Sequence, residues 1–180
     1  MTAIVVVMGV SGSGKTTIAA LLAGRLRWEF EDADGFHPAA NIEKMHRGVA
    51  LTDEDRGPWL QAIAAWIDQT RRARRHGVVA CSALKRRYRD VLVGARRDVR
   101  LVYLKGEEAL IARRIAARHG HFMPAKLLHS QFETLEEPGP DEHPIIVSID
   151  ARPLEIVSRI TAELGVTSRK ARSGTFTPHG

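Results

Sequence analysis

The chain opens on an unbroken apolar run, Ile4-Val5-Val6-Val7-Met8, the pattern of a parallel strand covered on both faces. Ile18, Leu21, Leu22 and Leu26 then recur at helical spacing. Trp28-Glu29-Phe30-Glu31 reads as a second strand ending at Asp32, and Pro38 suits the first turn of a short helix reaching about Met45. Thr52-Asp53-Glu54-Asp55 is a turn or capping segment. Gly57-Pro58 opens a longer helix with Trp59, Leu60, Ile63 and Ile67 on one face, and Gly77 ends it. Val78-Val79-Ala80-Cys81 is a third strand and Leu101-Val102-Tyr103-Leu104 a fourth, with a helix from Tyr88 to Val93 between them. Leu110, Ile111 and Ile115 mark another helix, and Ile145-Ile146-Val147-Ser148-Ile149 a fifth strand. Pro153 begins the last helix, with Leu154, Val157, Ile160 and Leu164 on one face.

Strands and helices alternate, which predicts an α/β chain with a parallel sheet. Ligands of such sheets bind beyond the carboxyl ends of the strands. The residues there are Gly9, Asp32 and Asp34, Ser82 and Lys85, Lys105, and Asp150 and Arg152, and all but the first are polar. No internal repeat or long linker interrupts the pattern. Residues 1–165 therefore read as one domain and 166–180 as a disordered tail, basic through Arg169, Lys170 and Arg172.

A chain of 180 residues is long enough for one full core. Its net charge of +6 comes from 27 Lys and Arg against 21 Asp and Glu. The arginines are spread along the chain, which favours small phosphorylated or carboxylated ligands over nucleic acid as partners. Cys81 is the only cysteine, so no intrachain disulfide forms and a reducing cytoplasm is expected. Cys81 itself reads as buried and inert, and Met45, Trp59 and Trp66 as core. No apolar stretch approaches the roughly 20 residues that span a bilayer, and the N-terminus lacks the basic region of a signal peptide. No membrane partner is expected.

Residues 9–16, Gly9-Val10-Ser11-Gly12-Ser13-Gly14-Lys15-Thr16, match the phosphate-loop pattern G-x-x-x-x-G-K-[ST] without exception. The glycines let the backbone turn its N–H groups inward around a phosphate. Lys15 supplies a point charge for the β- and γ-phosphates, and the Thr16 hydroxyl can ligate a bridging Mg²⁺. Strand, loop and helix in this order aim a helix N-terminus at an anion. The nucleotide contacts fall on Gly9, Ser11, Gly12, Ser13, Gly14, Lys15, Thr16 and Thr17. Asp32-Ala33-Asp34 follows the second strand. Such an acidic pair either holds Mg²⁺ and takes a proton from a substrate hydroxyl, or is a solvated turn; spacing alone leaves both open.

The segments Asp32-Ala33-Asp34-Gly35-Phe36-His37-Pro38, Asn41-Ile42-Glu43-Lys44-Met45 and Leu51-Thr52-Asp53-Glu54-Asp55-Arg56 carry more information, together with Pro58-Trp59-Leu60. With Cys81-Ser82-Ala83-Leu84-Lys85-Arg86-Arg87-Tyr88-Arg89-Asp90, Arg118-His119-Gly120-His121-Phe122-Met123 and Ser130-Gln131-Phe132-Glu133-Thr134-Leu135-Glu136, they closely resemble the small P-loop gluconokinases. That resemblance covers about residues 3–164. It implies phosphorylation of D-gluconate at C6 by ATP with Mg²⁺. It also implies a three-layer nucleoside-monophosphate-kinase-like fold, a five-stranded parallel sheet in order 2-3-1-4-5 flanked by helices, a mobile lid, and a homodimer as in many members. Shikimate kinases are the nearest relatives by architecture, but they carry a triple glycine where Ser82-Ala83-Leu84-Lys85 stands here. Two alternatives are a kinase of another small hydroxy or sugar acid and a nucleotide-binding regulator without transferase activity. The pair Asp34 and Arg56 speaks against the regulator, which needs no sugar-acid pocket.

Residue roles follow from the resemblance. Thr16 and Asp32 are the metal-side oxygens. Asp34 orients the C6 hydroxyl and accepts its proton. Arg56, Lys85 and Arg86 are candidates for the gluconate carboxylate, with Ser82 beside them. His37 is either a polar wall of the sugar pocket or a helix-entry histidine bonded to backbone. Arg118, with Arg114, is placed to spread charge on the transferred phosphoryl group, or one of them stacks over adenine. Arg152 and Pro153 border the adenine and also start a helix. Arg87 and Arg89 read as solvated helix charges, and His121 and Phe122 as lid packing. His119 and His121 lack a third ligand at suitable spacing, and Mg²⁺ prefers oxygen.

Overall fold

The computed structural model describes residues 1–118 and 125–166. Its central strand β1 (Ile4–Met8) is buried along its whole length. It pairs in parallel with β3 (Gly77–Ala80) on one side and β4 (Val99–Lys105) on the other, so that Ile4 faces both Gly77 and Val99. β2 (Glu29–Asp32) lies outside β3 and β5 (Ile145–Ser148) outside β4. Five parallel strands thus run β2-β3-β1-β4-β5, the order that the resemblance implies.

The two-residue period of β1 divides the core. Val5 and Val7 join Ile18 and Leu22 of α1 (Lys15–Leu26) and Val157 and Ile160 of α7 (Pro153–Leu164). Ile4, Val6 and Met8 join Trp59, Ile63 and Ile67 of α3 (Asp53–Arg72) and Tyr88 and Leu92 of α4 (Arg86–Leu92). Helices cover both faces, which is why the sequence of β1 runs apolar without alternation. α5 (Glu108–Ala117) and α6 (Ala125–Thr134) sink Ile111 and Leu128 into the first cluster.

Four sequence expectations change. α3 begins at Asp53, not at Gly57-Pro58, because a capping box forms one turn earlier. The Asp55 N–H donates to Thr52 Oγ1 at 3.1 Å and the Thr52 N–H to Asp55 Oδ2 at 2.9 Å. Three acidic residues in that first turn, Asp53, Glu54 and Asp55, suit the positive end of the helix. Gly77 does not end α3, which stops at Arg72; it is the first residue of β3. A Cβ there would lie 2.6 Å from the Trp66 ring, so glycine makes room for that indole against the sheet. Residues 125–134, unassigned from the sequence, form α6. Finally, Met45 is 43% exposed rather than core. Its helix α2 (Ala39–His46) is held by polar bonds from Asn41 and Lys44 to Asp55, not by an apolar face. Among the described residues no helix is long and apolar enough to cross a membrane. Residues 167–180 lie outside the described part, and with them the tail.

Candidate active site

The phosphate loop connects β1 to α1. Gly12 and Gly14 adopt left-handed backbone, with φ of 80° and 93°, which side chains resist. Gly14 is the N-cap of α1, so the loop delivers the free N–H groups of that helix to one point. Ser13 is buried, and its Oγ meets no hydrogen-bond partner among the described residues. Lys15 folds back and donates from Nζ to the Val10 carbonyl at 3.2 Å. Burial pulls its pKa down from the ordinary lysine value, while the carboxylates of Asp34 and Asp32 pull the other way. An ammonium has three donors, so the single bond to Val10 leaves capacity for an anion. The loop residues fit a nucleotide phosphate.

Beside the loop, the Thr16 hydroxyl donates to Asp32 Oδ2 at 2.8 Å. The other oxygen, Asp32 Oδ1, accepts the Asp34 N–H at 3.0 Å and caps a 3-10 turn over residues 33–36. This turn brings Asp34 within reach for its charge to act on Lys15. Hard oxygens in such a pair suit Mg²⁺, which takes one or two protein oxygens and completes its shell from phosphate and water. Among the described residues no group of three or more His, Cys, Asp or Glu is arranged to hold a metal.

Beyond the turn, His37 stacks on Trp59 with ring centroids 4.5 Å apart and planes at 9°. Trp59 in turn donates from Nε1 to the Ala33 carbonyl at 2.7 Å. Asn41 Nδ2 donates to the Asp55 carbonyl at 2.9 Å and lies 3.3 Å from His37 Nδ1. The amide nitrogen can only donate, so Nδ1 accepts and the imidazole proton is assigned to Nε2. Burial lowers the His37 pKa, Arg56 adds to this, and Asp34 opposes it. The His37 imidazole is thus neutral near pH 7 and bonds the Asn41 side chain, while its backbone N–H donates to the Asp34 carbonyl.

Three cations surround one phenol. The Arg56 guanidinium lies 6.0 Å from the Tyr88 ring centre, Lys85 Nζ 5.8 Å and the Arg87 guanidinium 5.7 Å. Arg56 donates to the Leu51 carbonyl at 2.8 Å. Lys85 pairs with Asp53 at 3.2 Å, and Arg87 and the Tyr88 hydroxyl bond the same carboxylate. Arg86 is not brought to this corner: its guanidinium pairs with Asp141. Ser82 contributes its carbonyl, which accepts the Gly9 N–H at 3.4 Å.

Arg89 overturns its expectation as a solvated charge. It is 1% exposed. Its Nε and NH2 clasp Glu142 at 2.6 and 2.9 Å, and NH1 donates to the carbonyls of Ala83, Leu84 and Glu136 at 3.1, 3.2 and 2.9 Å. Its guanidinium holds the Glu142 carboxyl below its ordinary range. Those bonds fix the loop before α4, in which Ala83 is fully buried at φ 45°. A non-glycine residue in that region costs energy and persists only when its surroundings impose it. Cys81, just before, is buried and its thiol is pushed up to about 12, in line with an inert role.

On the far side of the loop, Arg114 donates to the Ile149 carbonyl at 2.7 Å. Arg118 follows α5 and is exposed. Arg152 caps α7 and pairs with Glu155, while Pro153 takes the first helical position. Both end at the surface, and neither is drawn toward the loop by a bond. His119, His121 and Phe122 lie outside the described residues. Sequence reasoning assigned no role to Gln131 on α6. Its Oε1 accepts from the Ser11 N–H at 3.3 Å and from the Ser11 hydroxyl at 3.2 Å.

Comparison with known proteins places these features in context. The family described as AAA domain matches residues 4–138. A gluconokinase of Gluconobacter oxydans is 49% identical over 148 residues, 82% of this chain and 83% of that protein. The thermoresistant gluconokinase of Escherichia coli is 45% identical over 161 residues, 89% of this chain and 92% of its own. The crystal structure of a gluconokinase from Sinorhizobium meliloti superposes with a TM-score of 0.80 at 43% identity, covering 91% of each chain.

Proposed function

The chain belongs to the gluconokinase family of P-loop kinases, and from that premise we propose that it transfers the terminal phosphoryl group of ATP to the C6 hydroxyl of D-gluconate, giving 6-phospho-D-gluconate. The observation that carries this reading is a line of charge from the phosphate loop to a cation corner. Thr16 beside Lys15 bonds Asp32, Asp32 takes the Asp34 N–H, and beyond that turn Arg56 and Lys85 gather at the Tyr88 ring. A linear molecule with a primary hydroxyl at one end and a carboxylate at the other suits that line.

ATP supplies the phosphoryl group, and Mg²⁺ neutralises its oxygens when bound. Lys15 and the N–H groups of residues 12–16 hold the phosphates and favour the charge that develops on them. Thr16 keeps its hydrogen on Asp32 and so offers a lone pair to the cation. Asp34 aims the C6 oxygen and takes its proton; a loose transition state asks little base strength, so the aim matters more. Arg56 and Lys85 hold the carboxylate, where the planar fork of arginine gives two parallel bonds. Lys85 would exchange Asp53 for the substrate carboxylate, whereas Arg86 pairs with Asp141 away from the Tyr88 corner and is left out of this role. Neutral His37 forms a polar wall of the sugar pocket. Arg118 is the candidate cation for the transferred group, and Arg114, Arg152 and Pro153 lie on the adenine side. Residues 1–165 act as one catalytic unit and two copies pair, a reading supported by the family resemblance alone.

A coupled ADP-release assay over D-gluconate, related sugar acids, shikimate and nucleoside monophosphates tests this. Mg²⁺- and ATP-dependent turnover should be fastest with D-gluconate. Faster turnover of shikimate or of a nucleoside monophosphate would overturn the assignment.

A further inference from the structure

Two helices rest on the phosphate loop from the same side. From α5, Ile115 packs so closely on Gly12 that a Cβ there would lie 2.7 Å from it. From α6, the Gln131 carboxamide oxygen takes both the N–H and the hydroxyl of Ser11. A backbone N–H only donates, so this contact fixes which end of the amide faces Ser11. The two N–H donors of Gln131 Nε2 then meet no acceptor among the described residues. They stand one carbon away from an oxygen bonded to the loop itself.

The chain just past α6 bonds the loop before α4. The Glu136 N–H donates to the Leu84 carbonyl at 2.8 Å, and its carboxylate accepts the Arg86 N–H at 2.7 Å. The stretch from Gln131, in the last turn of α6, to Glu136, two residues past its end, therefore touches both the phosphate loop and the loop that carries Lys85.

We propose that Gln131 is a nucleotide-contacting residue, whose Nε2 donates to the terminal phosphate of ATP while its Oε1 steadies Ser11. The proposal rests on the reading of the chain as an ATP-dependent kinase. It needs a neutral donor at this position. A glutamate of the same shape would keep the acceptor for Ser11 but set an anion against the phosphate.

Gln131→Glu and Gln131→Met separate the two halves of the role. Calorimetric titration with Mg²⁺ and either a non-hydrolysable ATP analogue or ADP reads them without turnover. Gln131→Glu should bind the ATP analogue at least about tenfold more weakly than the parent and ADP within about twofold, with an unchanged melting temperature. Gln131→Met should also lose selectivity for the triphosphate, by a smaller factor. Equal weakening toward both nucleotides, or no weakening, would overturn the proposal by reducing Gln131 to a structural latch. If the parent protein binds the ATP analogue yet phosphorylates no sugar acid, the gluconate reading fails and this test still stands.

Discussion

The Thr16 hydroxyl and Asp32 Oδ2 lie 2.8 Å apart, joining the first turn of α1 to the end of β2. With Asp34 N–H on its other oxygen, the Asp32 carboxylate is held at both ends. Asp32→Asn keeps the shape and removes the charge. It should raise the Mg²⁺ concentration for half-maximal rate at least about tenfold, equivalent to about 1.4 kcal/mol of cation binding. Rates measured across a Mg²⁺ titration at saturating substrates check this, and an unchanged requirement would remove Asp32 from the cation site.

Lys15 is the one cationic side chain of the loop at residues 9–16. Lys15→Met should lower kcat at least about a hundredfold, roughly 2.7 kcal/mol of barrier, while the fold survives. Circular dichroism beside steady-state rates checks both halves. Near-normal turnover in a folded variant would exclude the loop from the mechanism.

On the proposed function, Arg56 and Asp34 serve opposite ends of the sugar acid. Arg56→Ala should chiefly raise the KM for gluconate, and Asp34→Asn should chiefly lower kcat, with the KM for ATP little changed in either. Kinetics with each substrate varied in turn discriminate these effects. Lost ATP affinity with intact gluconate kinetics would reverse the placement of both residues.

The clasp of Arg89 on Glu142 predicts a stability effect. Arg89→Leu leaves a carboxylate and three carbonyls without their donor, and should cost about 3–5 kcal/mol by urea unfolding. Arg89→Leu with Glu142→Leu should recover part of that loss, because the stranded charge is gone. A double variant as unstable as the sum of the two singles would show the pair to be uncoupled.

Acid stability depends on Asp68, which Arg96 and Arg71 hold down to a pKa of about 2 from 3.8. A depressed carboxyl contributes stability above its unfolded pKa and loses it as pH falls through the folded value. The contribution of Asp68 is therefore complete above about pH 4 and fades toward pH 2. Asp68→Asn should flatten the fall in stability across that window by one proton, about 1.4 kcal/mol per pH unit at most. Urea unfolding at several pH values in that window measures the slope, which stays the same if the ion pair carries no weight.

The sequence made the sheet and the phosphate loop legible because their physics is local. A strand covered on both faces must be apolar throughout, and Gly12 and Gly14 mark backbone that few other residues adopt. The start of α3 was harder, since Thr52 with Asp55 and Gly57 with Pro58 both signal a helix entry; the bonded capping box prevailed. Arg89 could not be told from Arg86 and Arg87 beside it, because its partner Glu142 lies 53 residues away. α6 gave little signal: of its adjacent leucines Leu128 is buried and Leu127 is exposed, so no clear apolar stripe forms. Gln131 stands in one of the segments that carry the family resemblance, but only the fold reveals that it meets Ser11.

Cys81 gives the protein a practical property. Its thiol is buried behind the sheet and, titrating at about 12, holds almost no thiolate at neutral pH. Maleimides and other thiol-directed dyes react through the thiolate and so pass it by. A cysteine substituted for exposed Leu127 would be the single reactive handle, with every native residue of the site retained. A fluorophore there could follow α6 in real time as nucleotide and sugar acid are added in either order.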